Sequence, residues 1–172
     1  CGACMMYHTE YTDNGMQKMS VLPIRQGNMF LGKFCISALL LSAMVVIEIA
    51  ALIGCASYWF PSYTFDLAEI LKTTGFQIVV TLPTLMSMLV IASACKNMWV
   101  SLGIGVILVF TLSILPQDNT VLSLFPFSSP YQTLAAATEN SRTTLFLSVC
   151  GVETVLFGIV EMIYLKVRRC FE

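Results

Sequence analysis

Charge is what this chain has least of. Only 11% of its 172 residues are Asp, Glu, Lys or Arg, against 57% that are hydrophobic. A soluble domain carries about 25% charged residues. This chain cannot cover a surface facing water, and its class is integral membrane. The net charge of -1 excludes the basic excess that nucleic-acid binding needs. One histidine, His8, is too few for a histidine-based metal site. No GxxxxGK[ST] loop occurs, so nothing in the chain cradles nucleotide phosphates. No period marks an internal repeat, and no stretch reads as a soluble domain. A signal peptide is not read either, because no basic segment precedes an apolar core at Cys1. The expectation is that residues 1–7 are the exit of an earlier span, in a fragment whose true start lies upstream.

What the chain has is apolar length, at a mean hydropathy of +0.81. A span takes about 20 mainly apolar residues. Four stretches meet or approach this: 34–57, 75–95, 98–115 and 143–165. Tyr58 and Trp59 follow the first as an interfacial aromatic belt, and Pro61 ends it. Residues 60–74 carry Asp66, Glu69 and Lys72 among apolar residues and are expected to form a short interfacial helix. Pro83 falls inside the second span, where it deprives the carbonyl one turn earlier of its donor. Lys96-Asn97 is a tight return, so the second and third spans predict an antiparallel hairpin. Gly103-x-Gly105 is expected to be a close-packing spot. Residues 116–142 form the one long connection, broken by Pro126 and Pro130. Irregular backbone cannot face lipid, so this segment lies at the interface or is buried by protein.

The longest polar, broken stretch before the apolar runs is 8–33, which holds Lys18, Arg25 and Lys33, with Glu10 and Asp13, punctuated by Gly15, Pro23 and Gly27. If this elbow faces the cytosol, so do Lys96, Lys166, Arg168 and Arg169, while Lys72 and Arg142 face outward. That bias sets the orientation. It makes 116–142 extracytoplasmic and the C-terminus cytosolic. The seven cysteines include a Cys1-x-x-Cys4 pair, but no second pair stands at ligand spacing. They read as incidental apolar residues, most of them on the reducing side.

Ionisable groups inside spans default to functional hypotheses. Glu48 lies nine residues from the outer end of the first span, about 13–14 Å deep at the helical rise. Glu153 lies ten residues from the outer end of the last, about 15 Å deep by the same measure. The two are expected at similar depth. Glu161 is nearer the cytosol and roughly 80° round the helix from Glu153. Two readings stand: these acids line a polar cavity that handles a cationic or amphipathic peptide, or they are protonated carboxyls bridging helices. No His/Asp/Ser or paired-metal constellation supports an intramembrane enzyme. Ser128 and Ser129 have no base nearby in sequence.

The order of residues in 8–34 is similar to one pattern: an acid, then Gly15, a short amphipathic turn, Leu22-Pro23-x-Arg25, and Lys33 opening the next span. It resembles the cytosolic elbow of type-2 ABC exporter permeases, and bacteriocin- and lantibiotic-immunity permeases most nearly. Pro126-Phe127-Ser128-Ser129-Pro130 is similar to that superfamily's Pro-rich, partly re-entrant approach to the last span, and Lys166-Val167-Arg168-Arg169 to its basic end. The likeness covers essentially the whole chain and implies an all-α, polytopic membrane fold with four complete spans and no cofactor. It implies a separate ABC ATPase subunit, docked through Glu10, Gly15, Met16, Lys18, Met19, Leu22, Pro23 and Arg25. A second permease copy or paralogue and membrane lipid are the other implied partners. The implied cargo is an antimicrobial peptide. A drug, lipid or polysaccharide is the alternative within the family, and a non-transporting scaffold or sensor subunit the alternative outside it.

Overall fold

A computed structural model describes residues 2–12, 26–60, 66–95, 97–114, 124–139 and 142–171. Among them the chain is helical. In order come α1 (Gly2–Thr12), α2 (Gln26–Trp59), α3 (Leu67–Ala94) and α4 (Met98–Ile114), then a 3₁₀ turn (Ser129–Tyr131), α5 (Leu134–Glu139) and α6 (Thr143–Phe171).

Three of these helices are long and apolar enough to cross a bilayer: Gly27–Trp59, Leu67–Ala94 and Thr143–Val167. The fourth expected span is shorter. Met98–Ile114 has 17 residues, about 25 Å at 1.5 Å per residue, where a hydrocarbon core measures about 30 Å. The expectation of four complete spans is therefore met by three among the described residues.

The boundaries differ from the sequence reading in two places. Residues 67–74 are not a separate interfacial helix; they are the first turns of α3. Asp66 supplies the start: its carboxylate accepts from the Ala68 N–H at 3.0 Å, while its own backbone stays extended. That satisfies one of the open donors of the first turn, and nothing interrupts the ladder before Gly75. Pro83 sits inside the same helix without ending it. The polar elbow, in turn, is helical at both limbs, through Thr12 and from Gln26.

Of the expected tight return, Lys96 lies outside the described residues; the helices on its two sides are capped next to it. Cys95 caps α3 in an extended conformation, its N–H bonding to the Ile91 carbonyl at 3.1 Å. Asn97 opens α4 by accepting from the Trp99 N–H at 3.1 Å.

Packing sets the helix directions. Phe30 near the start of α2 buries with Met86, Leu89 and Ala92 of α3 and Leu165 of α6, together with Ala3, Cys4 and Tyr7 of α1. Phe76 and Val80 of α3 bury with Phe146 and Cys150 of α6 and Ala137 of α5. The early part of α3 thus meets the early part of α6, and the late part meets the late part. These two helices run parallel, and α2 runs against both. Lys33 and Lys166 come to one end of the bundle, Lys72 and Arg142 to the other. Outside these two clusters, α2 and α4 turn large apolar residues outward, among them Leu39, Met44, Ile47, Ile107 and Phe110. In water such faces would be costly; against acyl chains they are ordinary.

Close approach depends on small residues. A β-carbon at Gly105 would sit 2.6 Å from Met88 Cε, whereas Gly103 has nothing within 4 Å. Of the expected pair, Gly105 alone is the packing position. Met86 fills in against Gly158, and Met162 against Gly27, the gap-filling role a flexible thioether suits.

Candidate functional site

Three polar arrangements stand out of this apolar bundle. The first is the base of the elbow. Lys33 Nζ lies 3.7 Å from the centroid of the Tyr7 ring, so the two limbs meet through a cation–π contact. Ser37 of α2 donates to Met6 Sδ at 3.4 Å. Cys4 Sγ and Ser101 Oγ lie 2.9 Å apart, tying α1 to α4. The helices on either side of 13–25 are therefore fastened to one another and to α4. Gly15, Met16, Lys18, Met19, Leu22, Pro23 and Arg25, the expected ATPase-docking residues, lie outside the described residues. Glu10 is in the last turns of α1.

The second arrangement is the Pro-rich segment docked on α3. Gln77 Nε2 donates to the Pro130 carbonyl at 3.1 Å. Ser129 Oγ donates to the Val80 carbonyl at 2.9 Å. Thr84 Oγ1 donates to the Pro126 carbonyl. Residues 77, 80 and 84 fall within about 60° of one helix face. Pro126, Phe127, Ser128 and Ser129 are buried there. From Gly75, where the uncharged run of α3 begins, Thr84 is nine residues in, about 14 Å at the helical rise. Irregular backbone thus packs well along α3 with two of its carbonyls answered by side chains of that helix, as buried backbone requires. The sequence marked this segment by its prolines and gave Ser129 no role. The missed signal is a hydroxyl beside two prolines, opposite a helix that carries Gln77, Thr84 and Pro83.

The third arrangement is the set of intramembrane acids, which the structure does not bring together. Glu161 is fully buried between α6 and α3, bonded to Ser93. It bridges helices. Glu153 is half-buried on the same helix, and among the described residues its Oε2 has no hydrogen-bond partner. Glu48 is exposed on the outer face of α2. The Gly27–Met162 contact aligns α2 with α6. Glu48 lies 21 residues beyond Gly27 and Glu153 nine residues before Met162. Along the helix axes their heights differ by about 18 Å. The expected equal depth does not hold within one chain, because from this contact α2 runs 32 residues on to Trp59 while α6 runs only 19 back to Thr143, so the outer ends from which depth was counted are not level. Among the described residues no three His, Cys, Asp or Glu side chains group as metal ligands.

An all-helical bundle with lipid-facing outer surfaces, a buried Pro-rich turn and a fastened elbow defines a polytopic membrane protein. A family model described as "ABC-2 family transporter protein" matches residues 2–112, from α1 through most of α4. The chain belongs to that family. It is a membrane permease of an ABC transporter, of a class that carries out transport and works with an ABC ATPase subunit. No curated protein and no solved structure matches it.

Proposed function

We propose that the chain is the permease subunit of an ATP-driven exporter that removes an antimicrobial peptide of the lantibiotic or bacteriocin type, working as a dimer with a second copy or a paralogue. ATP hydrolysis belongs to the separate ATPase subunit. Residues 8–33 are the cytosolic coupling elbow, the C-terminus is cytosolic, 116–142 faces outward, and α4 completes a fourth crossing. The observation that carries this reading is the fastened elbow base. Tyr7 against Lys33 and Cys4 against Ser101 join α1, which precedes 13–25, to α2, which follows it, and to α4. A push on the elbow by a closing ATPase reaches three helices rather than one. Glu10, Lys18 and Arg25 make the polar contacts, and Gly15, Met16, Met19, Leu22 and Pro23 fill the ATPase groove.

Glu48 and Glu153 provide acidic points for a cationic peptide at two heights of an interprotomer cavity. Glu48 is outward-facing on its own chain, where a second protomer reaches it. Glu161, engaged with Ser93, is a weaker candidate for cargo contact. Within the family, a drug, lipid or polysaccharide is the competing cargo.

Two measurements test the proposal. Co-purification with an ATPase subunit should be lost on exchanging Met16, Met19 and Leu22 for Asp at unchanged membrane abundance. Retained co-purification removes the elbow as the docking site, and the absence of any ATPase partner favours a scaffold or sensor subunit. Glu48→Gln with Glu153→Gln should lower peptide resistance; unchanged resistance removes the cavity role.

A further inference from the structure

A cavity of about 1030 Å³ opens between the first turns of α3, the short helix α5 and the start of α6. This is at or above the upper end of small-molecule sites, roughly 300–1,000 Å³. Its origin is the docking of the Pro-rich turn. That turn is fastened deep on α3, at Gln77, Val80 and Thr84, and α5 follows it back toward the bundle end. Among the described residues, the upper turns of α3 have an open groove on that side.

The walls are apolar: Phe76, Val79, Leu134 and Leu147 line the body. The rim is not. Glu69 and Lys72, both exposed, stand one helical turn apart on α3. Gly75, also on the lining, carries no side chain into the space, and a β-carbon there would meet nothing within 4 Å. The groove spans the level where the charge-free run of α3 begins. In a bilayer that is the boundary between headgroups and acyl chains.

We infer that this groove holds a single zwitterionic phospholipid, of the phosphatidylethanolamine type, as a bound lipid rather than a passing one. Apolar walls exclude water and accept an acyl chain. Rim charges of both signs fit a headgroup that carries both: phosphate against Lys72, ammonium against Glu69. An amphiphile of one charge sign meets one partner and one repulsion. The inference rests on the membrane-spanning fold alone and is independent of the cargo and of the ATPase.

The test uses the full chain in nanodiscs of mixed phosphatidylethanolamine and phosphatidylglycerol, each doped in turn with an acyl-diazirine analogue of one lipid. After irradiation, adducts are mapped by peptide mass spectrometry. The ethanolamine probe should concentrate on residues 69–79 and 133–147 over the outer face of α2, residues 36–52. Gly75→Leu combined with Ala135→Trp fills the groove and should remove most of that excess. Glu69→Gln and Lys72→Gln, on exposed side chains that leave the fold intact, should each reduce the ethanolamine preference by up to about fivefold, the upper range for an exposed ion pair. Equal labelling of the groove and the α2 face overturns the inference, since it describes annular lipid only. So does a glycerol probe that labels the groove as well as the ethanolamine probe does. If the filled variant fails to elute as the unaltered chain does, the two rim substitutions decide alone. Loss of the ATPase partner leaves every one of these readings in place.

Discussion

The Ser129 hydroxyl donates to the main-chain carbonyl of Val80 at 2.9 Å, three residues before Pro83 inside α3. The adjoining carbonyl, that of Val79, is the one a proline at 83 leaves without its helical donor. The same hydroxyl lies 3.1 Å from the Pro126 carbonyl. One proton therefore serves the junction between a proline-containing helix and a proline-broken turn. Both residues are essentially inaccessible, Ser129 and Val80 each at 0% exposure.

Ser129→Ala removes that donor, while the Pro126 carbonyl keeps the Thr84 hydroxyl; the net loss of such a bond is about 0.5–1.5 kcal/mol. The expected outcome is a lower unfolding temperature in detergent. Ser128→Ala in parallel is the comparison, a buried hydroxyl one residue earlier on the same turn. Faster proteolysis within 124–139 should accompany the Ser129 change. An unaltered melting temperature for Ser129→Ala would show that the turn is held by Gln77 and Thr84 without it.

At Gly105 the expected cost is steric and depends on a single neighbour. Gly105→Ala puts its β-carbon at 2.6 Å from Met88 Cε and 2.8 Å from Sδ. A thioether end is flexible, so the alanine is accommodated by a shift of Met88, while Gly105→Val is not. Overpacking of this kind costs about 1–3 kcal/mol. Gly103→Ala meets nothing and should be neutral or stabilising, by up to about 1 kcal/mol of helix propensity. Met88→Ala should restore the thermal stability lost in Gly105→Val. Without that rescue, the clash lies elsewhere.

Glu161 and Ser93 form the buried polar link between α6 and α3. Glu161→Gln keeps an acceptor for the hydroxyl and should retain most of the stability. Glu161→Leu leaves Ser93 its local bond to the Val90 carbonyl, 2.9 Å, but ends the interhelical one. Removing one partner of such a bond costs about 1–3 kcal/mol. The double-mutant cycle of Glu161→Leu with Ser93→Ala, read as thermal shifts in detergent, should show coupling. Additive effects would mean the two groups do not depend on one another.

Which parts of this were legible beforehand follows from the solvent. Four apolar stretches, the tight return at Lys96-Asn97, the need to bury 116–142 and the sorting of Lys33 with Lys166 against Lys72 with Arg142 all come from composition and order along the chain. The merging of residues 67–74 into α3 is not legible in the sequence, because an Asp in a polar connection and an Asp that caps a helix are the same letter. As a cap, Asp66 starts the helix.

The residues alone determined that this chain lives in a bilayer, since 11% charge leaves too few groups to hold water at its surface. They also determined roughly where the chain crosses. Only the tertiary structure decided which way each helix faces. A helix that is apolar all round carries no stripe to mark its inner side, because lipid and protein interior make similar demands on it. Hence Glu161 lies inside and Glu48 outside, Gly105 touches and Gly103 does not, and Ser129 finds the carbonyl beside the one Pro83 leaves open.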